Sequence, residues 1–133
     1  MNSILLISEN RTTVRQVKSA VAKAAPECQI RCAAKREELA GAAKPAVIIL
    51  DLTMTDEPAT ELLKWLRRDG TFREVPVFAL GSDALKTEIE EAYSLGVSSC
   101  LSVGHGTRSF EPIAGSIATY ASLISDGLSP ACA

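Results

Sequence analysis

Asp51 closes the apolar run Val47-Ile48-Ile49-Leu50, and the polar triplet Ser8-Glu9-Asn10 closes a second run, Ile4-Leu5-Leu6-Ile7. A continuous run rich in β-branched residues reads as a strand buried on both faces of a sheet. A carboxylate at its end stands where a parallel sheet opens its ligand crevice. The chemistry available to it there is that of an oxygen nucleophile or a ligand for a hard cation, as phosphoryl transfer requires. The competing reading is that Asp51 only begins the turn out of the strand, a common role for aspartate. The strand alone leaves both readings open.

The elements around Asp51 bear on the choice. After Asn10, Val14, Val17 and Val21 recur at helical spacing until Pro26. Cys28 to Ala33 alternates as a short strand, and the alanine-rich segment Lys35 to Ala43 predicts a helix ended by Lys44-Pro45. Beyond Asp51, the loop Leu52 to Ala59 leads into a helix carrying Leu62, Leu63 and Leu66, closed by Asp69-Gly70. Val75 to Leu80 repeats the strand pattern and Gly81-Ser82-Asp83 the polar loop. A helix with Leu85, Ile89 and Ala92 follows, ended by Gly96. Val97 to Ser102 is a fifth strand. Phe110, Ile113, Ile117, Tyr120 and Ile124 then mark a last amphipathic helix, with Pro112 in its first turn. Five strands alternating with five helices select a parallel sheet covered on both faces, because each crossover packs back onto the sheet with one hand. Ser8, Glu9 and Asp51 all fall at the switch point of such a sheet.

Composition narrows the class. The 133 residues fit one domain, expected over 1–125 with a flexible tail at 126–133. Hydrophobic residues at 47% and charged residues at 23% describe an ordinary globule, and the net charge of −2 argues against a nucleic-acid surface. No apolar stretch reaches membrane length and no signal peptide is evident, so a cytoplasmic location and no membrane partner are expected. The cysteines Cys28, Cys32, Cys100 and Cys132 form no CxxC pair, and His105 is the only histidine, so a zinc site is not expected. Cys28 and Cys32, an even number of residues apart, read as small buried hydrophobes on one strand face.

With the order strand, carboxylate, helix in place, the chain resembles the receiver domain of two-component response regulators. The resemblance is carried by Ile4-Leu5-Leu6-Ile7-Ser8-Glu9-Asn10, Ile48-Ile49-Leu50-Asp51-Leu52-Thr53-Met54, Val75-Pro76-Val77-Phe78-Ala79-Leu80 and Ala92-Tyr93-Ser94-Leu95-Gly96-Val97. It implies a flavodoxin-like (βα)5 three-layer sandwich with strand order 2-1-3-4-5, a signalling module rather than an enzyme. It implies that Asp51 is the phosphoacceptor, charged by a histidine kinase or phosphotransfer protein. It also implies a Mg²⁺ site made by Glu9, Asp51 and the Thr53 backbone carbonyl, and a downstream partner or homodimer surface on the fourth and fifth helices.

Departures from the family pattern cluster at the site. Ser8 stands where the resemblance places a first acid, so Mg²⁺ binding should be weak. Gly81 replaces the Thr or Ser whose hydroxyl meets the phosphoryl group, Val103 replaces the Lys, and Cys100 replaces the aromatic ring that reports the switch. Three acids and a lysine give −2 in the family pattern, and Glu9 with Asp51 gives the same −2 here, so the local field is similar. Transition-state stabilisation is what is missing, at about 2–4 kcal/mol for each lost charge-assisted contact. Ser82 and His105 are candidate substitutes for the lost hydroxyl and ammonium, each against a plain loop role. Asp56-Glu57 are candidates to touch the metal, against the commoner role of solvated charges before a helix; Trp65 reads as a partner contact or a half-buried ring, and the resemblance implies that Tyr93 and Tyr120 lie on the partner surface. The two functional expectations are an atypical phosphoacceptor and a phosphorylation-independent interaction module on the same scaffold. A flavin-binding protein is disfavoured because neither Ser8-Glu9-Asn10 nor Gly81-Ser82 offers a phosphate cradle.

Overall fold

The computed structural model describes residues 3–53, 57–81, 86–101 and 111–125. Five parallel strands, β1 (Ser3–Ile7), β2 (Gln29–Ala33), β3 (Val47–Asp51), β4 (Val77–Leu80) and β5 (Ser99–Leu101), form one sheet in the order β2-β1-β3-β4-β5. Four α-helices are described: α1 (Arg11–Ala24), α2 (Ala59–Arg68), α3 (Lys86–Ser94) and α4 (Glu111–Ser125). The expected flavodoxin-like sandwich and its strand order are those observed.

The buried strands explain their sequences. Leu5, Ile7, Ile48, Leu50, Val77 and Ala79 face one side and pack against Leu62, Leu63, Leu66 and Ala92 of α2 and α3. Ile4, Leu6, Val47 and Ile49 face the other and meet Val17, Ala20 and Val21 of α1 and Ala114, Ile117 and Ala121 of α4. A two-residue period divides each apolar run between two cores, so the runs carry no polar position until their ends. β3 is buried along its whole length.

Three expectations need correction. Lys35 to Ala43 is not an α-helix: a four-residue 3₁₀ turn, Arg36–Leu39, stands in its place. Only Leu39 offers a large apolar side chain to the core, and alanines bury too little area to hold a short helix that is marginal by itself. Gly41 then leaves helical geometry with φ of +74°. The predicted fourth and fifth helices are therefore α3 and α4 here. The second correction concerns the cysteines: Cys32 is exposed and Cys28 only partly buried, because β2 is an edge strand with a single buried residue, Ala33. Strand limits also contract, β4 beginning after Pro76, which lacks an N–H for the ladder but whose carbonyl accepts from the Ile48 N–H at 2.9 Å.

Trp65 is a partly buried ring of the α2–α3 core, 5.9 Å from Phe72 by ring centroids and under the Arg36 guanidinium at 5.4 Å. Tyr120 packs edge-on against Phe78 at 5.4 Å. Among the described residues no helix is long and apolar enough to cross a membrane.

Gly96 ends the α3 turn with φ of +89°, and a Cβ there would stand 3.6 Å from Arg67 Nε. Contact at that distance is ordinary, so the strain is in the backbone. Gly96→Ala should lower unfolding free energy by about 1–2 kcal/mol in urea titration, whereas Gly70→Ala, with negative φ and open space around it, should change stability little.

Candidate functional site

Register builds the site. β1 and β3 are paired with Ile7 beside Leu50, so the next residue of each strand, Ser8 and Asp51, falls alongside its counterpart on the same sheet face. Ser8 Oγ donates to Asp51 Oδ2 at 2.7 Å, and both residues are 3% exposed. Ser8 is also fixed from behind, because its N–H donates to the Ala33 carbonyl at 3.0 Å and the Asn10 N–H donates to its Oγ at 3.1 Å. The incoming Asn10 hydrogen bond helps orient the hydroxyl so that its proton faces Asp51.

Asn10 caps α1, its Oδ1 accepting from the N–H groups of Thr12 and Thr13 at 2.9 and 3.1 Å. A hydrogen-bonded chain thus runs from the start of α1 through Ser8 to the carboxylate. On the other side, Thr53 donates twice to Asp51 Oδ1, from its N–H at 2.8 Å and its hydroxyl at 2.6 Å. The first of these is the turn geometry aspartate favours. The turn reading of Asp51 and the site reading are therefore both true of one carboxylate.

A carboxylate offers about four lone-pair positions. Thr53 occupies two on Oδ1 and Ser8 one on Oδ2, which leaves Oδ2 with one for an incoming electrophile or cation. Both hydroxyls rotate about a single bond, so they can yield or redirect without moving the backbone. The donors near Asp51 are all oxygens, with Glu9 partly buried in the loop beside Ser8. That set fits a hard cation retaining most of its water. Among the described residues no three His, Cys, Asp or Glu side chains gather into a metal cluster.

The altered positions have definite surroundings where described. Gly81 follows β4 and its N–H donates to the Leu101 carbonyl at 3.0 Å, so the residue ties β4 to β5 and presents no side-chain donor. Cys100 lies on β5, its side chain partly buried against the α2–α3 core. Its backbone N–H donates to the Tyr93 hydroxyl at 3.0 Å. An aromatic hydroxyl thus reaches the backbone of β5 from the neighbouring helix, while Tyr93 as a residue is 50% exposed. Ser82, Val103, His105 and Asp56 lie outside the described residues. Glu57 pairs with Arg36 and is not merely a solvated charge.

Two features were missed in the sequence. The Thr53 hydroxyl on Asp51 could have been read from the Asp-x-Thr spacing, which suits a local side-chain turn. Tyr93 bonding to Cys100 carries no sequence signal, because it depends on how α3 returns to β5.

Five parallel strands in the order 2-1-3-4-5 make the flavodoxin-like fold that response-regulator receiver domains share. Comparison with solved structures agrees. The chain superimposes on the phosphorylated cyanobacterial phytochrome response regulator RcpA with a TM-score of 0.81 and 21% identity, over 97% of this chain and 98% of that one. A response regulator receiver domain from Rhodospirillum rubrum gives 0.77 and 19% over 96% of each chain. The Mn²⁺-bound form of response regulator Rcp1 gives 0.75 and 16% over 88% of this chain and 91% of that one. No family model and no curated protein matches the sequence.

Removing the Ser8 hydroxyl leaves a buried carboxylate short of a donor. Ser8→Ala should therefore cost about 1–3 kcal/mol at neutral pH, read by chemical denaturation, and the cost should shrink in an Asp51→Asn background. Burial pushes the Cys100 thiol above its ordinary pKa, partly offset by the Tyr93 hydrogen bond, and burial likewise raises Cys28 and Cys32. The raised pKa disfavours the thiolate, so iodoacetamide labelling of these three at pH 8 should be slower than that of an unfolded-chain thiol and should accelerate as pH rises further.

Proposed function

We propose that the chain is a receiver-type signalling module in which Asp51 accepts a phosphoryl group, slowly, from a histidine kinase or phosphotransfer protein in the cytoplasm. The observation that carries this reading is the Asp51 carboxylate itself: buried at the end of β3, oriented by Ser8 and Thr53, and keeping one lone pair on Oδ2. Oδ2 attacks phosphorus, the P–N bond to the donor imidazole breaks, and its electron pair stays on that nitrogen, giving an acyl phosphate. Glu9, Asp51 and the Thr53 backbone carbonyl would hold Mg²⁺, which supplies charge neutralisation for the transferred group when bound. Two similar structures, a phosphorylated response regulator and a Mn²⁺-bound one, are of proteins with chemistry of this kind.

This chain's residues do the rest. Ser8 rotates from Oδ2 toward a phosphoryl oxygen, and the Thr53 N–H keeps Oδ1 in place so that the reacting oxygen is Oδ2, while the Thr53 hydroxyl can redirect and leave a position on Oδ1 for a cation. Gly81 contributes no donor, so phosphoryl transfer should be slower by about a hundredfold for that lost contact alone. The downstream surface belongs to α3 and α4, where Tyr93 stands exposed.

A second reading is a phosphorylation-independent interaction module. The same hydrogen bonds favour it: three intramolecular donors already satisfy Asp51, so the carboxylate is stable without phosphate or metal.

Intact-mass measurement after incubation with Mg²⁺ and acetyl phosphate separates the two. The first reading expects a labile adduct of one phosphoryl group in the wild type, absent in Asp51→Asn and slower to form in Glu9→Gln. An unmodified wild-type mass after long exposure, repeated with a phosphorylated histidine phosphotransfer protein as donor, would establish the second.

A further inference from the structure

A groove of about 530 Å³ lies between the C-terminal turn of α2 and the turn joining α3 to β5, walled by Lys64, Arg67, Arg68, Ser94, Leu95 and Gly96. Crossover helices run antiparallel to a parallel sheet, so this groove is at the opposite end of the sheet from Asp51 and owes nothing to that site. Its walls carry three cations and no carboxylate, in a chain whose formal charge is −2.

Arg67 is the source of the imbalance. Its guanidinium donates to three backbone carbonyls, Arg73 and Val75 at 2.9 Å from Nη1 and Gly96 at 3.0 Å from Nη2. The carbonyl oxygens take protons from both Nη atoms, while the buried Nε has no hydrogen-bond partner among the described residues, and none of these neutral acceptors cancels the charge that arginine keeps in proteins. Arg67 thereby ties α2, the segment before β4 and the α3–β5 turn together while holding a fixed positive field in the groove.

Arg68 is exposed on the next position, its Nε donating to the Lys64 carbonyl. Lys64 shares its ammonium with Glu61 at 3.3 Å, an exposed pair of little strength. Basic residues at a helix C-terminus also complement its dipole, and that accounts for their presence on α2. It does not account for the opposing wall, where Leu95 and Gly96 of the α3 turn give the groove an apolar side.

We propose that this groove docks an acidic polypeptide segment, its carboxylates against Lys64 and Arg68 and an apolar side chain against Leu95. The occupant is a polypeptide rather than nucleic acid because a short segment of mixed acidic and apolar residues matches both the basic wall and Leu95, whereas a phosphodiester backbone sets only charge against them. The groove is shallow and open to solvent, a shape that suits an extended segment lying across it rather than a single enclosed anion. Arg67 acts through its field and through the shape it gives the turn, not by contact.

The test titrates the ¹⁵N-labelled full chain with a dodecapeptide alternating Glu and Leu, and in parallel with its Lys-for-Glu counterpart and a single-stranded oligonucleotide. The expected result is amide shifts centred on Ser94, Leu95 and Gly96 with the acidic peptide alone. Binding should weaken by about tenfold in Lys64→Glu/Arg68→Glu, since two exposed charges are reversed. Should that variant misfold by circular dichroism, Lys64→Gln/Arg68→Gln replaces it with a smaller expected loss. Shifts centred elsewhere, equal affinity in the variants, or equal or tighter binding of the oligonucleotide in this groove would each overturn the proposal.

Discussion

A carboxylate excluded from water must have its oxygens satisfied, and the local structure around Asp51 is organised by that requirement. Two parallel strands in one register bring Ser8 beside it, and a helix cap behind Ser8 turns the hydroxyl toward it. A local turn brings both Thr53 donors to the other oxygen. None of these partners is charged: the donors are two hydroxyls and a backbone N–H. An ion pair would have demanded its own desolvation and fixed geometry, with removal of either partner severely destabilising. Hydroxyl donors supply satisfaction at lower cost and can be redirected.

The same requirement bears on the residue beside Asp51. An acidic residue at the position of Ser8 would place a second charge against Asp51 and would make the apparatus depend on a cation for stability. Serine removes that repulsion and adds a donor. With serine there, hydrogen bonds within the chain satisfy Asp51 on their own.

Much of this was legible beforehand, for physical reasons that differ by region. The apolar runs ending at Ile7 and Leu50 announced themselves because strands buried on both faces cannot admit polar residues, and the residue that breaks the run must mark the sheet's rim. Val14, Val17 and Val21 marked α1 because one face of it had to be apolar. Lys35 to Ala43 misled, since alanine propensity favours a helix that only Leu39 could anchor. Cys32 misled because even spacing reports a shared face but not which strand lies at the edge. The partners of Asp51 were harder still: Ser8 was visible as a departure from a pattern, yet its role as a donor required the register of two strands 43 residues apart. Arg67 gave no sequence signal at all, because its three acceptors are backbone carbonyls from two other segments.

The 3₁₀ turn between β2 and β3 has a consequence for how the sheet opens. β2 keeps one buried residue and is covered on that side by a single turn anchored at Leu39, whereas β3 is sealed between two helical layers. The free energy of local opening follows buried apolar contact, so amide protons of β2 exchange through small excursions that leave β3 and the Asp51 rim closed. The molecule has a soft edge and a hard centre, and the Asp51 carboxylate sits on the hard side of that boundary.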